Sequence, residues 1–285
     1  MRSKALILIL LLSASAQAQR GSHDDSLQFN QLVKKLRPLS RKLATFQWFD
    51  DDASGNAEKR FEKIEKAFYP SFLKLLENPL SFSFNFKGFG NVMKDVSPDG
   101  KLHVINAGYA TGGTSTYMGT NYIQYVRNDS VCVTQIGEDF GKVRSTGVTI
   151  YLLKTPMHDT TVYLLLGEAK GNTSYGIWEA IIYGVGPRGL IENYPAFPNR
   201  SNYMCIDMNC EYGEEKFSFN KNKQVLTITL TDCDNAQSEI MDSLHLYHSK
   251  DNREDISDYG DWTTKLKFTG QRFLVMRHPI HKHED

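Results

Sequence analysis

The spacing of the hydrophobic residues changes once along the chain, from a helical period to strict alternation with polar residues. Before the change, apolar residues recur at three- and four-residue spacing from Leu27 to Leu43 and from Ala57 to Leu76, which predicts two amphipathic helices. A proline lies inside each segment. We therefore expect the first helix to be interrupted or ended near Pro38 and the second to be kinked at Pro70. This pattern predicts a helical segment over residues 19–78.

Beyond this segment the apolar positions alternate with polar ones. Phe82, Phe84 and Phe86 share one face of a predicted strand, and short β-rich runs separated by turn sequences follow. These runs are Leu102 to Ile105, Tyr122 to Val126, Val131 to Gln135, Val148 to Leu153, Thr161 to Leu166, Ile177 to Tyr183, Val225 to Leu230, Leu244 to Tyr247 and Thr264 to Phe268. We expect a β-rich domain over residues 79–276, arranged as an antiparallel meander, propeller-like blades or a sandwich.

The extreme N-terminus has the pattern of a signal peptide. Arg2 and Lys4 precede an apolar run from Ala5 to Leu12, and Ala16-Gln17-Ala18 supplies a cleavage site of the A-x-A type. The apolar run is shorter than the roughly 20 residues that span a bilayer, so no membrane span is expected. The sequence thus predicts a signal peptide over residues 1–18 and an exported protein, either periplasmic or secreted.

Charge narrows the range of partners. The chain has 33 basic and 33 acidic residues, and cleavage after Ala18 removes Arg2 and Lys4 but no acidic residue, which leaves 31 basic against 33 acidic residues. Binding to phosphate backbones needs a concentrated basic surface. A mature chain with a formal charge of −2 therefore argues against nucleic acid as a partner.

Four cysteines lie in the mature chain, and an even number in an oxidising compartment suggests two disulfides. Three connectivities are possible. Cys205 and Cys210 are close enough in sequence to bridge across a tight turn, which would pair Cys132 with Cys233. Free buried thiols are the alternative. A zinc site is disfavoured because the chain has no Cys-x-x-Cys pair.

Two segments have partial metal-binding patterns. The sequence from Asp50 to Gly55 begins like a calcium-binding loop, but Phe61 occupies the twelfth position, where a bidentate glutamate is needed, and Glu62 comes one residue late. Histidines at 278, 281 and 283 lie in a C-terminal tail, residues 277–285, that we expect to be flexible. We expect no metal site and no cofactor.

Catalytic patterns are weak. The nucleophile-elbow pattern G-x-S-x-G does not occur in the sequence. Acidic residues in or near the β-rich domain could pair for glycoside hydrolysis if the fold brought two of them together: Asp139, Glu168, Glu179 and Glu192. A secreted hydrolase that acts on glycan or peptide is therefore the alternative to a protein without catalytic activity.

The segment from Gly108 to Tyr117 combines glycine, threonine and tyrosine between two predicted strands. Loops of this kind on rigid scaffolds commonly carry recognition. We therefore predict ligand-binding side chains at Tyr109, Thr111, Thr114 and Tyr117. The sequence favours a non-catalytic binding or structural module of the cell envelope whose partner is an envelope glycan, a peptide or a protein.

A resemblance to other exported proteins supports the predicted export and the predicted order of helices and strands. Phe46-Gln47-Trp48-Phe49-Asp50, the helix pair, Ser97-Pro98-Asp99-Gly100-Lys101-Leu102, Gly112-Gly113-Thr114 and Ile123-Gln124-Tyr125 resemble a group of uncharacterised exported proteins from Bacteroidota. The chain departs from that group by reading Asn106-Ala107-Gly108-Tyr109 where a tryptophan-containing segment is more usual. The resemblance implies a signal peptide, a helical N-terminal segment and a β-rich remainder, but no catalytic residue.

Overall fold

The computed structural model describes residues 24–46, 56–110, 117–136, 148–170, 176–208, 216–230 and 262–276. Within these ranges the chain begins with three helices, α1 (residues 24–44), α2 (Asn56–Glu77) and α3 (Leu80–Ser83). Thirteen strands follow in the same ranges: β1 (Val92–Val96), β2 (Leu102–Ala110), β3 (Tyr117–Arg127), β4 (Ser130–Ile136), β5 (Val148–Leu153), β6 (Thr161–Lys170), β7 (Gly176–Gly186), β8 (Gly189–Ile191), β9 (Tyr203–Met208), β10 (Lys216–Asn220), β11 (Val225–Leu230), β12 (Trp262–Phe268) and β13 (Phe273–Val275).

The strands form three antiparallel sheets, each a meander of sequence neighbours. Sheet A has the order β1-β2-β3-β4, and sheet C has the order β10-β11-β12-β13. Sheet B has the order β5-β6-β7-β8, with β9 also paired to β7. The prediction of a mostly β protein with a helical N-terminal segment and antiparallel meanders is confirmed.

Three apolar cores join the helices and sheets into a layered stack. The first core contains residues of α1, α2 and one face of sheet A, such as Leu36, Phe72 and Tyr122. The second lies between sheets A and B and includes Ile123. The third lies between sheets B and C and includes Leu226. The layers therefore follow the order helices, sheet A, sheet B and sheet C.

Sheet B is covered on both faces, and its sequence reflects this position. Leu164 of β6 faces sheet C while its neighbour Leu165 faces sheet A, and Ile182 and Ile181 of β7 divide in the same way. A strand that is buried on both faces is a continuous apolar run rather than an alternating one. This is why residues 162–166 of β6 and 180–183 of β7 are continuous apolar runs.

The two long helices match the predicted apolar stripes. Helix α1 runs through Pro38 rather than ending there, which corrects the expected interruption, and α2 runs through Pro70. Both prolines lie on exposed helix faces. The buried stripes on the opposite faces hold each helix against sheet A, and this burial offsets the local cost of proline. None of the described helices is long and apolar enough to cross a membrane.

The strand predicted around Phe82, Phe84 and Phe86 is wrong. Leu80–Ser83 form the short helix α3, and Phe86 has φ of 53°, a left-handed conformation that a strand does not contain. The rings of Phe84 and Phe86 instead pack edge to face, 5.1 Å apart, in the core beneath the helices. Phe84 and Phe86 therefore belong to a turn rather than a strand, and both rings pack in this core.

Candidate functional site

Three buried polar side chains interrupt the apolar core between sheets A and B. Asn106 and Asn121 are 8% and 2% exposed, and Glu179 is 1% exposed. In sheet A, the Asn106–Asn121 pair lies one inward-facing position beyond the apolar Val104–Ile123 pair. In β7, Glu179 lies two residues from Ile181 and so faces the same core, because side chains on a strand alternate between faces.

The two asparagines bond to each other across the strands. The Nδ2 amide of Asn106 donates to Oδ1 of Asn121 at 2.6 Å. The Nδ2 amide of Asn121 is buried and has no hydrogen-bond partner among the described residues. An unmet buried donor costs about 1–3 kcal/mol, so such groups are rare and point to a site with a further partner.

Glu179 is held by a tyrosine from the neighbouring strand. The hydroxyl of Tyr203 on β9 donates to Oε1 of Glu179 at 2.9 Å. Further along β7, the pKa of Tyr183 is raised, first by burial and then by the negative charges of Glu192 and Glu179. Glu179 therefore places a carboxyl group in the same core as the two asparagines.

Contacts at the turns fix how sheets A and B are aligned. The hydroxyl of Tyr163 on β6 donates to Oδ2 of Asp99 in the β1–β2 turn at 2.9 Å. Between the edge strands of the two sheets, Oδ2 of Asp95 on β1 accepts from the backbone amide of Val148 on β5 at 3.0 Å. In sheet A the backbone of Asp95 pairs with that of Val104. In sheet B the backbone of Val148 pairs with that of Gly167, which on its other side pairs with Glu179. The asparagine pair and Glu179 therefore lie toward the same end of the stack, which we call the Asn121 end.

Sheet C has the same alignment, and this brings many strand ends together. The backbone amide of Lys154, just after β5, donates to Oε1 of Gln224, just before β11, at 2.8 Å. The far end of β11 therefore lies at the Asn121 end. The strand ends found there are those joined by residues 111–116, 137–147, 171–175, 209–215 and 231–261.

Two of the four predicted ligand-binding residues, Tyr109 and Tyr117, have their backbones at this end of the stack. In β2 the backbone of Tyr109 pairs with Met118, and in β3 the backbone of Tyr117 pairs with Ala110. The side chains of Tyr109 and Tyr117, and all of Thr111 and Thr114, lie outside the described residues. Their role in binding stays a prediction.

A close approach of two glycines shapes the β2–β3 hairpin next to the asparagines. Gly119 pairs with Gly108, and a Cβ atom on Gly119 would lie 2.4 Å from Cα of Gly108. No side chain fits at that distance without a backbone shift. The two glycines therefore allow the strands to approach each other beside Asn121.

Replacing Gly119 by alanine is expected to destabilise the protein by about 1–3 kcal/mol, because the new methyl group would force the two strands apart. The measurement is urea denaturation followed by circular dichroism. Gly186→Ala serves as the matched control, since a Cβ atom there meets its nearest neighbour at 3.4 Å. Equal midpoints for the two variants would contradict the prediction.

The cysteine prediction is only partly tested. Cys132 lies on β4, half-buried, and its thiol is free, so the expected pairing with Cys233 is not formed. Its strand packs on the core between sheets A and B, where Cys132 serves as a small apolar side chain. Cys205 lies on β9 opposite Glu179. The side chain of Cys205, together with Cys210 and Cys233, lies outside the described residues, and their pairing stays a prediction.

The partial metal-binding patterns also lie mostly outside the described residues. These include Asp50 to Gly55 and the histidines of the C-terminal tail, residues 277–285. Phe61, which occupies the place of the calcium-binding glutamate, is buried in the helical core with its ring 4.9 Å from that of Phe46. In the part of the chain that the structure describes, no group of three or more His, Cys, Asp or Glu side chains could hold a metal ion.

Of the acidic residues that could act in hydrolysis, Glu179 and Glu192 occupy positions far apart in sheet B. Glu192 is exposed and follows Ile191, whose partner Gly184 lies five residues from Glu179 on β7. Five strand residues span about 16 Å at roughly 3.3 Å each, whereas paired glycosidase carboxylates lie about 5–9.5 Å apart. Asp139 and the side chain of Glu168 lie outside the described residues.

A second buried polar group lies under the helices. Nε2 of Gln124 donates to the carbonyl oxygen of Leu76 at 2.7 Å and to Oγ of Ser81 at 2.6 Å. Nζ of Lys94 donates to the carbonyl oxygen of Phe84 at 3.0 Å. These bonds satisfy backbone groups around the ends of α2 and α3, so we assign this group a structural role.

Several tyrosines of the described strands and turns belong to the apolar cores. Tyr122, Tyr125, Tyr183 and Tyr194 are all buried. The polar positions Asn106 and Asn121 were not among the predicted site residues. The available signal was their presence within β-rich runs, where asparagine is disfavoured unless a specific interaction requires it.

Comparison with models of protein families, with curated proteins and with solved structures finds no match to this chain.

Proposed function

We propose that this chain is an exported, non-catalytic binding module that recognises a polar envelope ligand, a glycan or an extended peptide, at the Asn121 end of the stacked sheets. The observation that carries the proposal is the buried polar group of Asn106, Asn121 and Glu179 at that end. A fold that needed only stability would place apolar side chains there, because burying such groups costs free energy.

The organisation of the strands supports recognition at this end. Antiparallel sheets form a rigid scaffold, and the connections between their strands commonly carry the binding residues of such scaffolds. The hairpin that carries Tyr109 and Tyr117 ends here, beside the asparagine pair. Tyrosine presents a flat apolar ring and a hydroxyl group, which suits the ring of a sugar or the backbone of a peptide.

The separation between Glu179 and Glu192 favours binding over hydrolysis by this pair. Glu179 and Glu192 belong to positions too far apart along β7 for the two-carboxylate geometry of glycoside hydrolysis. Glu179 also accepts a hydrogen bond from Tyr203, which holds it in place as a fixed acceptor.

The first test is ligand-dependent thermal stability of the mature chain, measured against soluble hexose oligosaccharides, N-acetylhexosamine oligosaccharides and extended peptides. A ligand at a hundred times its dissociation constant adds about 2.7 kcal/mol to stability and should raise the melting temperature by several degrees. We expect one ligand class to produce this shift. Tyr109→Ala combined with Tyr117→Ala should reduce the affinity at least tenfold without lowering the melting temperature of the unliganded protein.

Leu274→Ala is the control variant, since this exposed side chain lies on the outer sheet, away from the A–B core. It should leave the ligand-induced shift unchanged. A shift that persists in the double tyrosine variant would contradict recognition by this hairpin. The absence of a shift with every probe would instead favour a structural role in the envelope.

A further inference from the structure

Helix α1 carries an unusual concentration of positive charge. After Asp24 and Asp25 at its start, α1 contains five basic residues and no acidic residue: Lys34, Lys35, Arg37, Arg41 and Lys42. Lys34, Arg37 and Arg41 are separated by three and four positions and therefore share one side of the helix. In the part of the chain that the structure describes, the single ion pair joins Lys66 to Glu62 on α2. The cations of α1 thus have no carboxylate partner there.

Two of these residues converge on one backbone position. Nε of Arg41 donates to the carbonyl oxygen of Gly88 at 3.2 Å. A Cβ atom built on Gly88 would lie 3.6 Å from Nη2 of Arg41 and 3.7 Å from Nε of Arg37. The two guanidinium groups therefore flank the same point. Like charges four residues apart on a helix repel each other, so this arrangement is unfavourable without an anion.

Arg37 contributes a buried donor that the fold does not use. Its side chain is half-buried, and its Nε atom is buried without a hydrogen-bond partner among the described residues. A guanidinium group donates only and cannot lose its charge in a protein. This donor therefore requires an acceptor from outside the described residues.

Gly88 keeps the space between the two guanidinium groups open. It has φ of +87°, which residues other than glycine rarely adopt, and any Cβ atom there would lie in van der Waals contact with both arginines. The neighbouring residue Lys87 is exposed and adds a further positive charge at this turn. Any larger residue at position 88 would be both strained and directed toward the arginines.

We propose that Arg37 and Arg41, with the Gly88 turn, form a binding site for a phosphate-type oxyanion. Guanidinium groups match the geometry of phosphate oxygens, and two of them beside Lys34 and Lys87 favour a doubly charged anion over a single carboxylate. The anion is either free phosphate or the phosphomonoester of a larger molecule, such as a lipid headgroup. The site lies on the helical layer, on the opposite face of sheet A from the Asn106–Asn121 pair, and does not depend on the function proposed for that pair.

The test is isothermal titration of the mature chain with sodium phosphate at constant ionic strength, together with NMR of the arginine Nε–Hε groups. We expect saturable binding and a shift of the Arg37 and Arg41 signals. Arg37→Gln or Arg41→Gln should weaken binding at least tenfold, and Gly88→Ala should also weaken it. Acetate should bind at least tenfold more weakly than phosphate.

Lys42→Gln is the matched control, because this exposed cation belongs to the same helix but lies off the side shared by Lys34, Arg37 and Arg41. It should change the phosphate affinity less than twofold. Titration with monomeric dihexanoyl phosphatidic acid distinguishes the two candidate ligands, free phosphate and the phosphomonoester of a lipid headgroup. Tighter binding than phosphate would assign a lipid headgroup, and equal binding would assign the free ion.

Binding that does not saturate, or that is equal in the wild type and the arginine variants, would overturn the proposal. If Arg37→Gln does not fold, the exposed Arg41→Gln variant and the wild-type NMR signals still decide the question. Wild-type arginine signals that do not move with phosphate would also overturn it.

Discussion

Replacing Phe72 by alanine is expected to destabilise the protein by about 3–5 kcal/mol, because it removes a fully buried ring and leaves a cavity. Phe72 is 0% exposed and lies at the centre of the core between the helices and sheet A. Its ring contacts those of Phe68, Phe86, Phe89 and Tyr122, at centroid distances from 5.0 to 6.3 Å. It therefore joins α2, the following turn and sheet A.

Guanidinium denaturation of the mature chain, followed by circular dichroism, measures this loss. Leu27→Ala on α1 is the control, since this side chain is 52% exposed and its removal should change the free energy of unfolding by less than about 0.5 kcal/mol. Similar free energies of unfolding for the two variants would mean that the helical layer does not unfold together with sheet A. A separate early transition in the Phe72 variant would lead to the same conclusion.

The second large effect is a loss of stability on acidification that originates at His103. This residue is 3% exposed, and its ring stacks on that of Phe82 with centroids 3.9 Å apart. Burial lowers the pKa of His103 to about 4, and the positive charge of Lys94 adds to the effect. The native state therefore keeps the imidazole neutral at a pH where an unfolded chain would protonate it.

The direction of the effect follows from proton uptake. An unfolded histidine has a pKa near 6.5, so between about pH 6.5 and 4 the unfolded chain binds a proton that the native chain does not. Stability is therefore complete above this window and falls as the pH falls through it. A difference of about 2.5 pKa units corresponds to a loss of about 3 kcal/mol at the acid end.

Urea denaturation at pH 7.5, 5.5 and 4.5 tests this expectation. His103→Gln should flatten the dependence on pH, whereas His158→Asn, at an exposed position, should leave it unchanged. Asp95, whose pKa is raised by burial, titrates in every variant, so the difference between variants isolates His103. An unchanged slope in the His103 variant would show that another group controls the acid transition.

Elements with strong apolar patterns could be predicted from the sequence. Two strands, Val148–Leu153 and Val225–Leu230, are predicted with their observed bounds, and both helices match their apolar stripes. The missed strands β1, β8, β9, β10 and β13 are short, and several lie at sheet edges, where a strand needs little burial. Their backbones pair with the unpaired edge of a neighbouring strand. The local sequence does not reveal which segments meet such an edge.

The candidate site could be predicted only in part. The hairpin that carries Tyr109 and Tyr117 was singled out by its composition, and Glu179 was one of several acidic residues. What joins this hairpin to Glu179 is the stacking of sheet A on sheet B, which brings together residues some 60 positions apart in the sequence. Arg37 and Arg41 could not be predicted as a site, because basic residues on a helix usually form a solvated face, and both the approach of Gly88 and the burial of the Arg37 Nε atom depend on the fold.

The order of the layers also has a consequence for how the protein can assemble. Both faces of sheet B are apolar, so one must be buried against sheet A and the other against sheet C. Sheet C ends the series with an outer surface of exposed lysine and threonine side chains, such as Lys265 and Thr263, and the helices end it at the other side. The helical layer and sheet C therefore cap the two ends of the stack. Loss of either one would expose the apolar face beneath it, and an exposed apolar face of this kind promotes aggregation.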